Sequence, residues 1–175
     1  MVWRLLRSEG FIFGKLFLKF LIVMSKIFGY YKDDVDRAWY QSSNIKYSEC
    51  IDHDDALKTL KVVFNNGSQY EYNGVDVNQY LLFREDASQG KALNKYIKGN
   101  NYEYKRLEDA DIASLEEELN FRLEGGYYIH SNDESFSVEA PNGVIAYSHE
   151  GKVDDITVEA VTSLLSHFGK EYKML

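Results

Sequence analysis

Four residues, Asn65-Asn66-Gly67-Ser68, constrain this chain more than any others. They separate two alternating runs, Leu60, Val62 and Phe64 before them and Tyr70 and Tyr72 after them. Successive strand side chains point to opposite faces, so each run presents one apolar face. An Asn-Gly pair tolerates positive φ, and between such runs it predicts a tight antiparallel hairpin. Asn66 and Gly67 are the expected left-handed pair of a type I′ turn. A chain holding this hairpin must build an antiparallel sheet around it.

The flanking sequence extends the pattern. Residues Ser43 to Ile51 alternate as a further strand, and Asp52-His53-Asp54-Asp55 reads as the turn after it. Downstream, Asp76 is placed to cap a helix through Tyr80, Leu81 and Phe83 that breaks near Asp86. A second helix starts at Ser88 and ends before Gly99, the expected left-handed C-cap. Tyr102 to Arg106 alternates as a closing strand. The order is β-β-β-α-α-β.

One set of residues in this stretch resembles a known family. Ser42-Ser43-Asn44-Ile45 leads into Leu60-x-Val62-x-Phe64-x-x-Gly67-x-x-Tyr70-x-Tyr72, then Val75, Tyr80, Leu81 and Leu82. Ser88-x-Gly90-Lys91-x-x-Asn94-x-x-Ile97-Lys98 and Tyr102-x-Tyr104-x-Arg106 complete the set. Order and spacing are similar to the KTSC domain, a small module named for its place at the C-terminus of some lysyl-tRNA synthetases. The resemblance implies a fold and a module, not an activity. Two departures bear on the expectations. Asp76 follows Val75 where the family carries proline, and an aspartate cap does a related job at a helix start. Ala92 and Leu93 precede Asn94 where the family carries aromatics, which removes ring surface for stacking at those positions.

Residues 108–175 read as a second unit. Ile112, Leu115, Leu119 and Leu123 have helical spacing, closed by Gly125-Gly126. Tyr127–Ile129, Phe136–Val138 and Val144–Tyr147 read as short strands, and Val158, Val161, Leu165 and Phe168 as a closing helix with Asp154 and Asp155 at its start. This α-β-β-β-α order is shared with double-stranded-RNA-binding domains, but the charge is opposite to what phosphates require. The segment holds 15 acidic and 4 basic residues, against 9 and 9 over 41–107 and 4 and 7 over 1–40. The expected fold class is α+β: an antiparallel KTSC-like meander with two helices over 41–107, then a small α-β-β-β-α domain over 108–175. Residues 1–40 are an apolar and basic extension.

Within that extension, Phe11 to Val23 is apolar but interrupted by Lys15 and Lys19, too short and too charged for a transmembrane helix. Two readings stand, a membrane-surface amphipathic helix with a Lys15, Lys19 and Lys26 stripe, or upstream sequence preceding a start at Met24; a secretory signal ranks behind both, because no small-residue cleavage site follows the apolar run. One cysteine, Cys50, excludes an internal disulfide framework, and a cytoplasmic setting is expected.

The best candidate chemistry sits on the helix from Ser88. Lys91, Asn94, Lys95 and Lys98 fall at i, i+3, i+4 and i+7, so they share one face of an α-helix. Ser88 and Gly90 are placed to offer free N–H groups at its start, and Lys105 and Arg106 to add cations from the last strand. Ser88, Gly90, Lys91, Asn94, Lys95, Lys98 and Arg106 are therefore the expected contacts to an anionic ligand, a nucleotide or nucleic acid. A solvated helix face accounts for the same pattern. The many tyrosines read first as cover for a half-wet sheet.

No motif of a catalytic class occurs, and neither a catalytic residue, a metal nor a cofactor is expected. Cys50 and His53 read as a buried small residue and a turn histidine. Glu116-Glu117-Glu118 reads as a solvated helix surface. Two functions follow. The first is a non-catalytic module engaging an anionic ligand through the Lys/Asn face. The second is an acidic interaction or inhibitor protein, suited to a phage or mobile-element accessory role, whose residues 108–175 engage a basic protein partner.

Overall fold

The computed structural model describes residues 25–53 and 57–175. Both readings of residues 1–23 lie outside the described residues, as do Asp54 and Asp55 of the acidic turn. No helix among the described residues is long and apolar enough to cross a membrane.

The molecule is α+β, with two sheets. In the first, β1 (Lys26–Lys32), β2 (Val35–Tyr40), β3 (Ile45–Ile51), β4 (Leu57–Phe64), β5 (Gln69–Asp76) and β6 (Glu103–Arg106) lie side by side in chain order, all antiparallel. Between β5 and β6 run α1 (Val77–Glu85) and α2 (Gln89–Ala92), the latter continued by a π turn over Leu93–Ile97 and a 3-10 turn over Lys98–Asn100. From β3 onward this is the β-β-β-α-α-β order read from the sequence.

β1 and β2 were not legible as strands. β2 reads Val-Asp-Arg-Ala-Trp-Tyr, with Ala38, Trp39 and Tyr40 buried in succession. Both faces of the sheet are covered there, so the period-two alternation of polarity never appears. Ala38 and Tyr40 enter the core beneath α1 and α2, while Trp39 enters a second core with Tyr30, Tyr47, Val63 and Leu119. Asp36 is tolerated within the strand because Tyr80 Oη donates to it at 3.0 Å and Arg84 Nη2 at 3.0 Å, both from α1.

Two turns differ in detail from expectation. Only Gly67 of the hairpin has positive φ (88°). Gly67 N–H donates to Phe64 C=O and Phe64 N–H to Ser68 C=O, which makes a type I turn closed by a left-handed glycine rather than a type I′ turn. At the end of the long helical segment the left-handed residue is Asn101 (φ 56°), not Gly99, because the π and 3-10 turns carry the chain past the expected cap. Asp76 behaves as expected: its carboxylate accepts from the N–H groups of Asn78 (2.8 Å) and Gln79 (3.2 Å). Its φ is −63°, the value a proline ring imposes, so aspartate here enters the helix along the same path.

In the second half, α3 (Ile112–Leu123) precedes β7 (Tyr127–Ser131), β8 (Ser135–Glu139), β9 (Ile145–Glu150), α4 (Asp155–His167) and a short β10 (Tyr172–Met174). The sheet order is β10-β7-β8-β9, with β10 parallel to β7. The α-β-β-β-α reading holds, and β10, three residues after a glycine, is an addition. Val158, Val161 and Leu165 of α4 pack on Ile129, Phe136 and Val138.

α3 stands between the sheets. Ile112, Leu115 and Leu119 pack on the Trp39 face of the first, and Trp39 Nε1 donates to Leu115 C=O at 3.0 Å. On the other side, the Phe121 ring meets Tyr128 of β7 at 5.0 Å. Arg122 ties the seam: it donates to Glu118 (3.0 Å), Tyr30 Oη (2.9 Å), Glu139 (3.1 Å) and Pro141 C=O (3.0 Å). Glu139 is 1% exposed and also accepts from Lys32 (2.5 Å) and His130 (3.0 Å). Burial alone would push its carboxyl up, but the Lys32 and His130 hydrogen bonds and the Lys32 and Arg122 charges outweigh that and hold it below the usual range. Gly143 (φ 81°) is confined here, since a Cβ would collide with the Tyr30 ring.

The Glu116-Glu117-Glu118 run is not a uniform solvated surface. Glu116 pairs with Lys46 of the first sheet, Glu117 with Lys173 of β10, and Glu118 with Arg122 in the seam. Adjacent helix positions point in different directions, so three neighbours in sequence reach three parts of the fold.

Candidate functional site

The hairpin turn, the β5–β6 pair and the end of the π turn enclose a cleft of about 510 Å³. Its walls are Phe64, Tyr70, Tyr72, Tyr102 and Tyr104, with Ser68, Lys98 and Asn101 at its margin. Strand register explains the rings. Tyr72 pairs with Tyr104 across the β5–β6 ladder, and Tyr70 lies two residues along on the same face. The rings contact without closing over one another: Tyr72 to Tyr104 is 5.8 Å, Tyr70 to Tyr104 is 6.4 Å and Phe64 to Tyr70 is 5.7 Å between centroids.

Polar atoms are left over at this site. The hydroxyls of Tyr70, Tyr72 and Tyr104 form no hydrogen bond among the described residues, whereas Tyr102 Oη accepts from Asp76 N–H at 3.3 Å. Tyr72 is 2% exposed, yet it lines the cleft. Burial pushes its hydroxyl up to about 12, helped by Tyr104 and Tyr70 beside it, so at neutral pH it keeps its proton and can donate. Tyr104 is 64% exposed and offers a ring face to solvent. Lys98 Nζ stands 6.0 Å from the Phe64 ring centroid and forms no ion pair among the described residues.

The structure divides the residues expected to bind. Lys98 lines the cleft, whereas Lys91, Asn94 and Lys95 do not. All four are exposed, but a π turn holds more residues per turn than an α-helix, so positions seven apart no longer eclipse. Lys95 is engaged locally, donating to Tyr96 Oη at 3.0 Å and lying 4.6 Å from that ring. Lys91 forms no ion pair among the described residues.

The helix start is already occupied. Ser88 N–H donates to the Asp86 carboxylate at 2.8 Å, which places a negative charge where an anion was expected. Gly90 is a packing residue: a Cβ there would come within 3.1 Å of Asn44 Nδ2. Lys105 pairs with Glu71 at 2.8 Å on the face away from Tyr72, and Arg106 with Asp109 at 2.7 Å. Gln89, unremarked in the sequence, is fully buried and donates to the carbonyls of Phe83, Arg84 and Asp86, locking α1 to α2.

Cys50 lies in the core, its thiol pushed up to about 12 by burial, and His53 Nε2 bonds Thr59 Oγ1 at 2.9 Å. Those environments suit a buried small residue and a turn histidine. Among the described residues, no three His, Cys, Asp or Glu side chains converge on a metal position.

An antiparallel meander with a helical pair inserted before its last strand, and a ring-lined cleft at that insertion, defines the module. Residues 41–102 match the KTSC domain. No curated protein matches the chain. The matched segment supplies every cleft residue except Tyr104, which β6 adds just beyond it.

Proposed function

We propose that this chain is a non-catalytic binding protein whose KTSC domain takes an anionic ligand, a nucleotide or a single-stranded stretch of nucleic acid, in the aromatic cleft. The observation that carries it is the conjunction of Tyr104's open ring, the unpartnered Tyr72 hydroxyl and the unpaired Lys98 around one cavity. Stacking of a base on an aromatic side chain contributes about 1–3 kcal/mol and does not depend on its identity. Lys98 then supplies a phosphate contact, with Lys91 further along the strand. The near-neutral charge of residues 41–107 keeps such binding modest and salt-sensitive.

Fluorescence anisotropy with labelled oligonucleotides and nucleotides tests this on the full chain. Tyr104→Ala is expected to weaken binding roughly 5- to 150-fold, the equivalent of one stacked base. Lys98→Glu combined with Lys91→Glu is expected to abolish it, and Lys98→Ala to reduce the salt slope by about 0.7. Unchanged affinity in the double lysine variant would overturn the reading.

A second reading, a basic protein partner for residues 108–175, is favoured by the carboxylates left without a cation. Glu108, Glu124, Glu134, Glu150, Asp155, Glu159 and Glu171 form no ion pair among the described residues. In that setting the chain acts as an accessory or inhibitor protein of phage or mobile-element type, in the cytoplasm. Binding of a lysine-rich peptide that is lost on deleting acidic surface charge is the expected result.

A further inference from the structure

The two sheets have four edge strands among the described residues, and three carry cations. β1 has Lys26 and Lys32, β6 has Lys105 and Arg106, and β10 has Lys173. β9, Ile145-Ala-Tyr-Ser-His-Glu150, has no lysine, arginine or proline, and every one of its residues is exposed. Edge strands offer a row of unpaired N–H and C=O groups, and lysine, proline and bulges are the usual means of keeping other chains off. β9 keeps only a register shift at its start, between Val138 and Glu139 of its partner strand. From Tyr147 to Glu150 its ladder with β8 is regular, so its outer side is a regular template as well.

The face beside this edge is uncovered and presents Tyr147 and His149. Tyr147 pairs with Val138, and its ring meets Phe136 at 6.1 Å, which puts it on the side that α4 covers. Yet Tyr147 remains 50% exposed, because α4 packs on β7 and β8 and stops short of β9. Two carboxylates flank the far end of the edge: Glu150, and Glu134, whose carbonyl accepts from Gly151 N–H at 2.7 Å. Neither has a cation partner among the described residues. A second copy of the chain is a poor occupant, since it would bring another strongly acidic surface against the first.

We propose that β9 is the docking edge for an extended cationic segment of another protein, which adds as a fifth strand to the second sheet. Alternating positions of that segment place apolar side chains on Tyr147 and basic ones by Glu150 and Glu134, the pattern of strand addition with pockets for alternate residues. The inference rests on the second reading above and gives that reading a place and a backbone geometry.

The test uses the full chain and three labelled seven-residue peptides read by anisotropy: one alternating lysine and valine, one alternating lysine and glycine, and the first with alternate amides N-methylated. The lysine–valine peptide is expected to bind at least tenfold more tightly than either of the others. Tyr147→Lys, at an exposed site, is expected to remove that advantage, and amide exchange over Tyr147–Glu150 to slow with the peptide bound. Equal binding of the lysine–valine and lysine–glycine peptides, unaffected by Tyr147→Lys, would overturn the docking edge while leaving the acidic-surface reading intact. No binding by any peptide would overturn both. A dimer in light scattering that Tyr147→Lys dissolves would assign the edge to a second copy and overturn the proposal too.

Discussion

The two sheets of this protein are built for different ends. The first is buried on both faces across its central strands, by α1 and α2 on one side and α3 on the other, and its edges carry cations. The second keeps a small core, Ile129, Phe136 and Val138 beneath α4, yet α4 itself contains no fully buried residue, and Ile156, Leu164 and Phe168 stand 75%, 58% and 67% exposed. Apolar area removed from water is the main stabilising term, so the first sheet carries the stability and the second keeps apolar surface available. Binding also divides between them: a ring-lined concavity on the near-neutral half, and an open edge with carboxylates on the acidic half.

Substitutions can break that contrast. Glu139→Ala is expected to have the largest effect, about 3–5 kcal/mol by chemical denaturation, because it leaves the buried Arg122 and the half-buried Lys32 without their shared partner. Replacing Arg122 and Glu139 together by Met and Leu is expected to restore much of that loss. Trp39→Ala is expected to cost a similar 3–5 kcal/mol, against a markedly smaller loss for truncating any side chain of α4. Asp76→Ala removes a cap and is expected to lower stability by about 1 kcal/mol. At the far end, Ile156→Ser is expected to stay within about 0.5 kcal/mol. A large loss there would mean that α4 is covered in solution.

Acid sharpens the same comparison at the seam. The Glu139 carboxyl lies below its ordinary value of 4.5, so the folded state binds its proton less readily than the unfolded chain does. Its stabilising contribution is therefore present above pH 4.5 and is lost as pH falls through the lower folded value. Melting temperatures across this window are expected to drop more steeply for the wild-type protein than for Glu139→Gln.

Much of the first sheet was legible because β3, β4 and β5 sit where hydrophobic alternation and a glycine turn reinforce one another. β2 is not, because a strand covered on both faces shows no alternation, and because Asp36 and Arg37 look like loop residues until Arg84, Tyr80 and Glu49 are brought beside them; β1 is an edge strand with apolar residues on both faces, Ile27 and Tyr31 exposed and Tyr30 buried. Of the expected site, Lys98 reached the cleft, but the assumption of α-helical spacing failed at the π turn, which carries no sequence signature of its own. Tyr70, Tyr72 and Tyr104 are visible in the sequence as alternating tyrosines, the pattern of ordinary sheet cover. Only the absence of partners for their hydroxyls distinguishes them from that, and hydrogen bonding across β5, β6 and a distant helix end is a tertiary fact.

α3 has a consequence for how the molecule responds as a whole. Because α3 packs on the Trp39 core through Leu119 and meets Tyr128 of β7 through Phe121, loss of the first sheet would uncover that side of the second, and the chain should behave as a single cooperative unit. Occupancy of the tyrosine cleft then adds its free energy to the entire folded state. A ligand held at one end of the first sheet would slow amide exchange in β7 and β8, far from anything it touches.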